Sequence, residues 1–315
     1  MVIRQDGVHA ATSTPAGAIR LSKDVASRLV VQLLPEYMEV FREAQRPEGW
    51  RKVAETFGEI RKRLNIDGYV ALYDDERRLH GCFAYFWLGA EGVKELANEL
   101  NGASPEELGK FVEDFAADCL ENDWADELFP DSPQREAELR AQFEALPPEE
   151  KAEAIKRGQY LYSFVIAFFY QSISVMVHGE KLTSLVPKAM AGDRDAFLKA
   201  IHIDKALLHA HPWFKDRHYA AQCKREDILL RDVGYRLRAA PTRGRIRHPG
   251  LYAMFSMLEA LGWLNDLRHE EILDLCDEAR LDRWQNRIED VNYLTKRLGG
   301  YRRMQKSGGV VNALV

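Results

Sequence analysis

The stretch YLYSFVIAFFYQSISVMV, residues 160–177, contains no charged side chain, and its reading decides the fold. It approaches the ~20 apolar residues that cross a bilayer. Ser163, Gln171, Ser172 and Ser174 interrupt it, however, and no Lys/Arg cluster marks a cytoplasmic flank. A helix buried on all sides by other helices explains the run more simply than a membrane span.

Working outward, helix punctuation surrounds this run. Upstream, Leu146-Pro147-Pro148-Glu149-Glu150 ends a helix over 134–145 and opens the next, since proline stops the first and is tolerated in the first turn of the second. Ser104-Pro105-Glu106-Glu107 reads as a capping box, followed by Leu108, Phe111, Val112, Phe115 and Cys119 along one helix face. Downstream, Asp193 caps a helix carrying Phe197, Ile201 and Leu208, which His211-Pro212 closes. Pro249 opens a helix with Tyr252, Phe255, Leu258 and Leu261 inward and Gly262 as its left-handed terminus. Ile272, Leu275, Cys276 and Ala279 share the face of another, and Leu281, Trp284, Ile288, Leu294 and Leu298 extend the apolar pattern to Gly299-Gly300.

Near the N-terminus, 23–45 and 50–64 are expected to be helical, with Pro35 kinking or dividing the first. Residues 69–73 and 79–87 are aromatic and β-branched enough for a small β-hairpin around 74–77, and a helix over 76–88 competes with it. The fold class is thus mainly α, a multi-helix globular bundle around a central buried apolar helix at about 160–177. A soft division near 190 separates an acidic helical domain, 21–190, from a basic one, 191–306. A flexible arm over 1–20 and a tail over 307–315 flank them.

Composition narrows the setting. The 315 residues are 46% hydrophobic and 30% charged, which excludes a disordered chain. Cys82, Cys119, Cys223 and Cys276 form no CxxC pair and the first 20 residues hold no signal-peptide core, so a cytoplasmic location with no membrane partner is expected. Neither GxxxxGK[ST], GxGxxG nor GxSxG occurs, which disfavours the common nucleotide-dependent enzymes and serine hydrolases.

Charge points further. Residues 91–153 hold 19 acidic and 5 basic side chains, 215–248 hold 10 basic and 4 acidic, and 292–306 hold 5 basic and no acidic ones. Arg236, Arg238, Arg243, Arg245 and Arg247 fall in a Pro/Gly-containing stretch suited to bidentate phosphate contacts. Lys296, Arg297, Arg302 and Arg303 follow on the last helix, beside Asn292, Tyr293 and Tyr301. The primary expectation is a non-enzymatic binding protein whose basic C-terminal region, 236–248 and 290–306, contacts nucleic acid or an acidic protein surface, with no cofactor. A metal-dependent hydrolase is the alternative, because His202, Asp204, His209, His211 and His218 offer imidazole and carboxylate ligands for a divalent metal. No HExxH or His-Asp dipeptide supports it. A third reading makes the charge division an assembly device for a homo-oligomer.

Overall fold

The computed structural model describes residues 21, 23–100, 132–241, 248–281 and 291–306. The expected arm, the helix after Ser104, Trp284, Ile288, the C-terminal tail and Arg243, Arg245 and Arg247 lie outside these residues.

The described residues form thirteen α-helices and one 3-10 helix, with no strand among them. In chain order these are α1 (Lys23–Glu43), α2 (Pro47–Leu64), the 3-10 helix (Asp67–Tyr73), α3 (Glu76–Leu100), α4 (Pro133–Ala145) and α5 (Pro148–His178). Then follow α6 (Leu182–Met190), α7 (Arg194–Ile203), α8 (Leu207–Ala210), α9 (Pro212–Cys223), α10 (Asp227–Arg238), α11 (Pro249–Ala260), α12 (His269–Glu278) and α13 (Val291–Lys306).

The apolar run forms the second half of α5, a 31-residue helix about 46 Å long at 1.5 Å per residue. It packs chiefly against α3 and α11, and also meets the 3-10 helix, α2, α6, α7 and α13. By length and composition α5 could cross a bilayer, yet 94% of its most apolar window is covered by protein. Its polar residues are satisfied locally or by neighbouring segments. Ser163 and Ser172 donate to the carbonyls of Gln159 and Phe168 one turn back, and Ser174 donates to the Glu180 carbonyl. Gln171 donates to the Ala260 carbonyl and accepts from the Thr183 amide, tying α5 to α11 and α6. Gly179, at φ 69°, ends the helix in the left-handed region, and a Cβ there would stand 2.7 Å from the Gln305 carbonyl oxygen. The chain thus turns where α13 presses closest.

The aromatic region at 69–87 is helical and not a hairpin. Tyr69 and Tyr73 both reach Asp204 with their hydroxyls, at 2.5 and 3.0 Å, and the rise of ~2 Å per residue in the 3-10 helix keeps their backbones only about 8 Å apart along its axis. Residues of a strand four apart share a face but stand roughly 13 Å from each other, too far for parallel side chains to meet on one oxygen. Asp75 accepts from the Arg77 amide at the start of α3, and Leu79, Cys82 and Phe83 then bury at helical spacing. Helical geometry breaks once within α3, at Gly89 (φ 69°, ψ −175°).

Two proline and glycine expectations also change. α1 continues through Pro35, where burial of Leu33, Leu34, Tyr37 and Met38 offsets the lost backbone hydrogen bond. α13 continues through Gly299-Gly300 to Lys306. A Cβ on Gly300 would come 2.9 Å from the Tyr252 hydroxyl, so glycine allows α13 to lie close to α11. The helix after Asp193 is shorter than expected, ending at Ile203, with Leu208 in the separate turn α8. Asp193 caps it as expected, accepting from the amides of Asp195 and Ala196.

Candidate functional site

α13 is anchored by one face. Leu294, Leu298 and Tyr301 are buried against α11 and α12, and Tyr301 donates to Glu259 at 2.9 Å. Gln305 donates to the same carboxylate, so Glu259 is occupied by neutral partners. Burial first, and then the Glu259 charge, hold the Tyr301 phenol well above its ordinary pKa.

The rest of the helix surface carries the cations. Lys296, Arg302, Arg303 and Lys306 are exposed. Arg302 donates to the neutral Asn265 amide oxygen at 2.8 Å. Arg297 is half-buried with its guanidinium 4.5 Å above the Tyr293 ring, and its Nε has no acceptor. None of the five forms an ion pair among the described residues, nor does Arg236 or Arg238 at the end of α10. Elsewhere among the described residues pairing is mixed: Arg61, Arg78, Lys181, Arg194 and Arg217 each meet a carboxylate, and other surface cations do not.

Contacts link these two basic elements at the end of α5. Ala240, just beyond α10, gives its carbonyl to His202 Nε2 at 3.2 Å, and His202 Nδ1 lies 3.3 Å from His178 Nε2. The next residue, Gly179, faces the Gln305 backbone of α13. His248, where the described chain resumes, has its ring 6.2 Å from that of Tyr293 in the first turn of α13. Of the two described flanks of the arginine stretch, Ala240 thus packs toward the end of α5, and His248 lies beside the first turn of α13.

The histidine segment is distributed among different partners. The carbonyl acceptor at Ala240 requires the proton of neutral His202 to sit on Nε2, leaving Nδ1 to accept from His178 Nε2–H. This pair is therefore complete only when the His202 ring is neutral. Burial pushes the His202 pKa down to about 4, with the Arg236 charge adding to it; burial, His202 and Arg236 hold His178 well below its ordinary value.

Asp204 is 1% exposed and accepts from Tyr69, Tyr73 and the Ala206 amide. Burial raises its pKa against the lowering effect of those bonds. His211 is buried and stands 2.9 Å from Asp74, while His209 is exposed and His218 half-buried. Among the described residues, no three His, Cys, Asp or Glu side chains are grouped to hold a metal ion. His178, Tyr69, Tyr73 and Asp74 were not legible as partners in the sequence, because they lie 24 to 137 residues from the groups they meet. No protein family, curated protein or solved structure matches the chain.

Proposed function

We propose that the protein binds nucleic acid through the outer face of α13 together with the end of α10 and the arginine stretch between Arg236 and Arg247. The observation that carries this reading is the set of seven cations, Arg236, Arg238, Lys296, Arg297, Arg302, Arg303 and Lys306, that form no ion pair among the described residues. Leaving several like charges without ion pairs disfavours the isolated fold slightly and favours a polyanion. Five of the seven are arginines, whose forked donors match phosphate oxygens. The Tyr293 ring with Arg297 stacked on it adds a flat surface beside the charges, a type of surface on which unpaired bases stack.

The test is fluorescence anisotropy with labelled single-stranded DNA, duplex DNA and RNA of mixed sequence, from about 50 to 200 mM salt. Binding should weaken along a straight line of log affinity against log salt. The triple variant Lys296→Gln, Arg303→Gln, Lys306→Gln should reduce that slope by about 0.7 to 0.9 per cation that touches phosphate. A parallel arm uses polyglutamate, which presents carboxylates without phosphates or bases. Polyglutamate binding without nucleic-acid binding replaces the reading with one of an acidic protein surface. Absence of nucleic-acid binding at about 50 mM salt, or affinity unchanged in the triple variant, removes it.

A further inference from the structure

A second site is carried by different residues. A cavity of about 260 Å³ opens between the middle of α2, the 3-10 helix, α5 and the turn that follows α7. That is ample for a single-ring molecule, at the small end of ligand pockets.

The lining is part aromatic and part cationic. Phe57, Tyr69 and Tyr170 form apolar walls, with Phe57 and Tyr170 edge to face at 5.4 Å and 86°. Asp204 lies at the floor, and its three hydrogen bonds come from the protein itself. The cations are less well satisfied. Lys205 is half-buried and forms no ion pair among the described residues; burial lowers its pKa, and the Glu55 charge acts against that. Glu55 itself lies 3.8 Å from Arg51. The Arg61 side chain is 12% exposed, and its Nε is 2.8 Å from Asp67 without the alignment of a hydrogen bond. An aromatic slot with a partly desolvated, unpaired ammonium beside it favours a ligand that brings both an apolar ring and one negative charge.

We infer that this cavity binds a small aromatic monoanion of the aryl carboxylate class, with the ring against Phe57 and Tyr170 and the carboxylate toward Lys205 and Arg61. The site shares no residue with the basic face of α13, so the two stand or fall separately. Gly58 provides a way to close it. This residue lines the cavity, and a Cβ added there meets nothing within 4 Å, so a larger side chain can enter the space from a helix that leucine suits better than glycine.

The test is isothermal titration of the full chain with benzoate, with its neutral isostere benzamide and with acetate, which lacks the ring. Benzoate should saturate one site per chain, with benzamide and acetate each at least about tenfold weaker, a factor of ten being what a single well-placed charge or ring contact supplies. Gly58→Leu and Lys205→Met should each weaken benzoate about tenfold or more. Thermal melting of both variants, run alongside, shows that they are folded. If Lys205→Met does not fold, Gly58→Leu decides alone. Absence of saturable benzoate binding, or equal affinity in wild type and Gly58→Leu, overturns the site. Equal affinity for benzoate and benzamide overturns the assignment of an anion.

Discussion

Acid should weaken this fold through the buried His178–His202 pair, and His202 alone should account for roughly 2 to 3 kcal/mol between pH 7.5 and pH 4.5. In the unfolded chain His202 takes up a proton near its ordinary value of 6.5, whereas in the native protein it does so only near pH 4. Between those values the unfolded state holds the extra proton, so the stability contributed by the neutral ring is complete above pH 6.5 and is lost as pH falls toward 4. Each unit of separation is worth about 1.4 kcal/mol, and pH 4.5 lies about two units below the unfolded value. His178 acts in the same direction, because its pKa is also depressed. Asp204 acts in the opposite direction, since its raised pKa favours the native state as the carboxyl protonates. Comparing variants isolates the pair. Urea unfolding followed by circular dichroism at both pH values should show a smaller pH dependence in His202→Gln, by about 2 kcal/mol, and a partial reduction in Arg236→Gln, whose charge opposes protonation of both rings. The same pH dependence in wild type and both variants would refute the assignment of a neutral, coupled pair.

Three further changes test the packing. Phe168→Ala removes a fully buried ring stacked 5.5 Å from Phe164, and should cost about 3 to 5 kcal/mol in chemical denaturation. Gly179→Ala forces a left-handed alanine against the Gln305 carbonyl and should cost about 2 to 4 kcal/mol, with amide exchange in the last turn of α13 accelerated. Tyr69→Phe deletes a 2.5 Å hydrogen bond to Asp204 and should cost about 1 to 3 kcal/mol at neutral pH. Since that bond lowers the Asp204 pKa, the carboxyl resonance of Asp204 in the variant should titrate at higher pH than in wild type.

The central helix was legible because an uncharged 18-residue run needs burial whatever surrounds it, and serine hydroxyls can satisfy themselves on their own helix at Ser163 and Ser172. The cationic face of α13 was legible for a related reason. Leu294 and Leu298 fix which side turns inward and Lys296, Arg302 and Arg303 stay exposed, but Tyr301, grouped in the sequence with the contacting residues, is buried. The region 69–87 was not. Aromatic and β-branched residues fit any half-buried surface, so their strand preference yields to tertiary context, here a buried carboxylate 131 and 135 residues away in the chain. Gly300 shows the same limit on a smaller scale. Inside a helix glycine usually signals a break, and only the Tyr252 hydroxyl opposite it explains a continuous one.

The residues read as one His/Asp cluster show why composition alone does not locate a site. At the end of α7, Asp204 leaves helical geometry with φ −116° and ψ 100°, and three consecutive side chains take three directions. His202 joins His178 at the end of α5, Ile203 enters the core, and Asp204 meets the tyrosines of the 3-10 helix. His211, after the short turn of α8, meets Asp74 instead. One helix end therefore braces the basic end of the fold on one side and floors the aromatic cavity on the other. Lys205 beside the cavity, and Arg236 and Arg238 at the basic end, form no ion pair among the described residues.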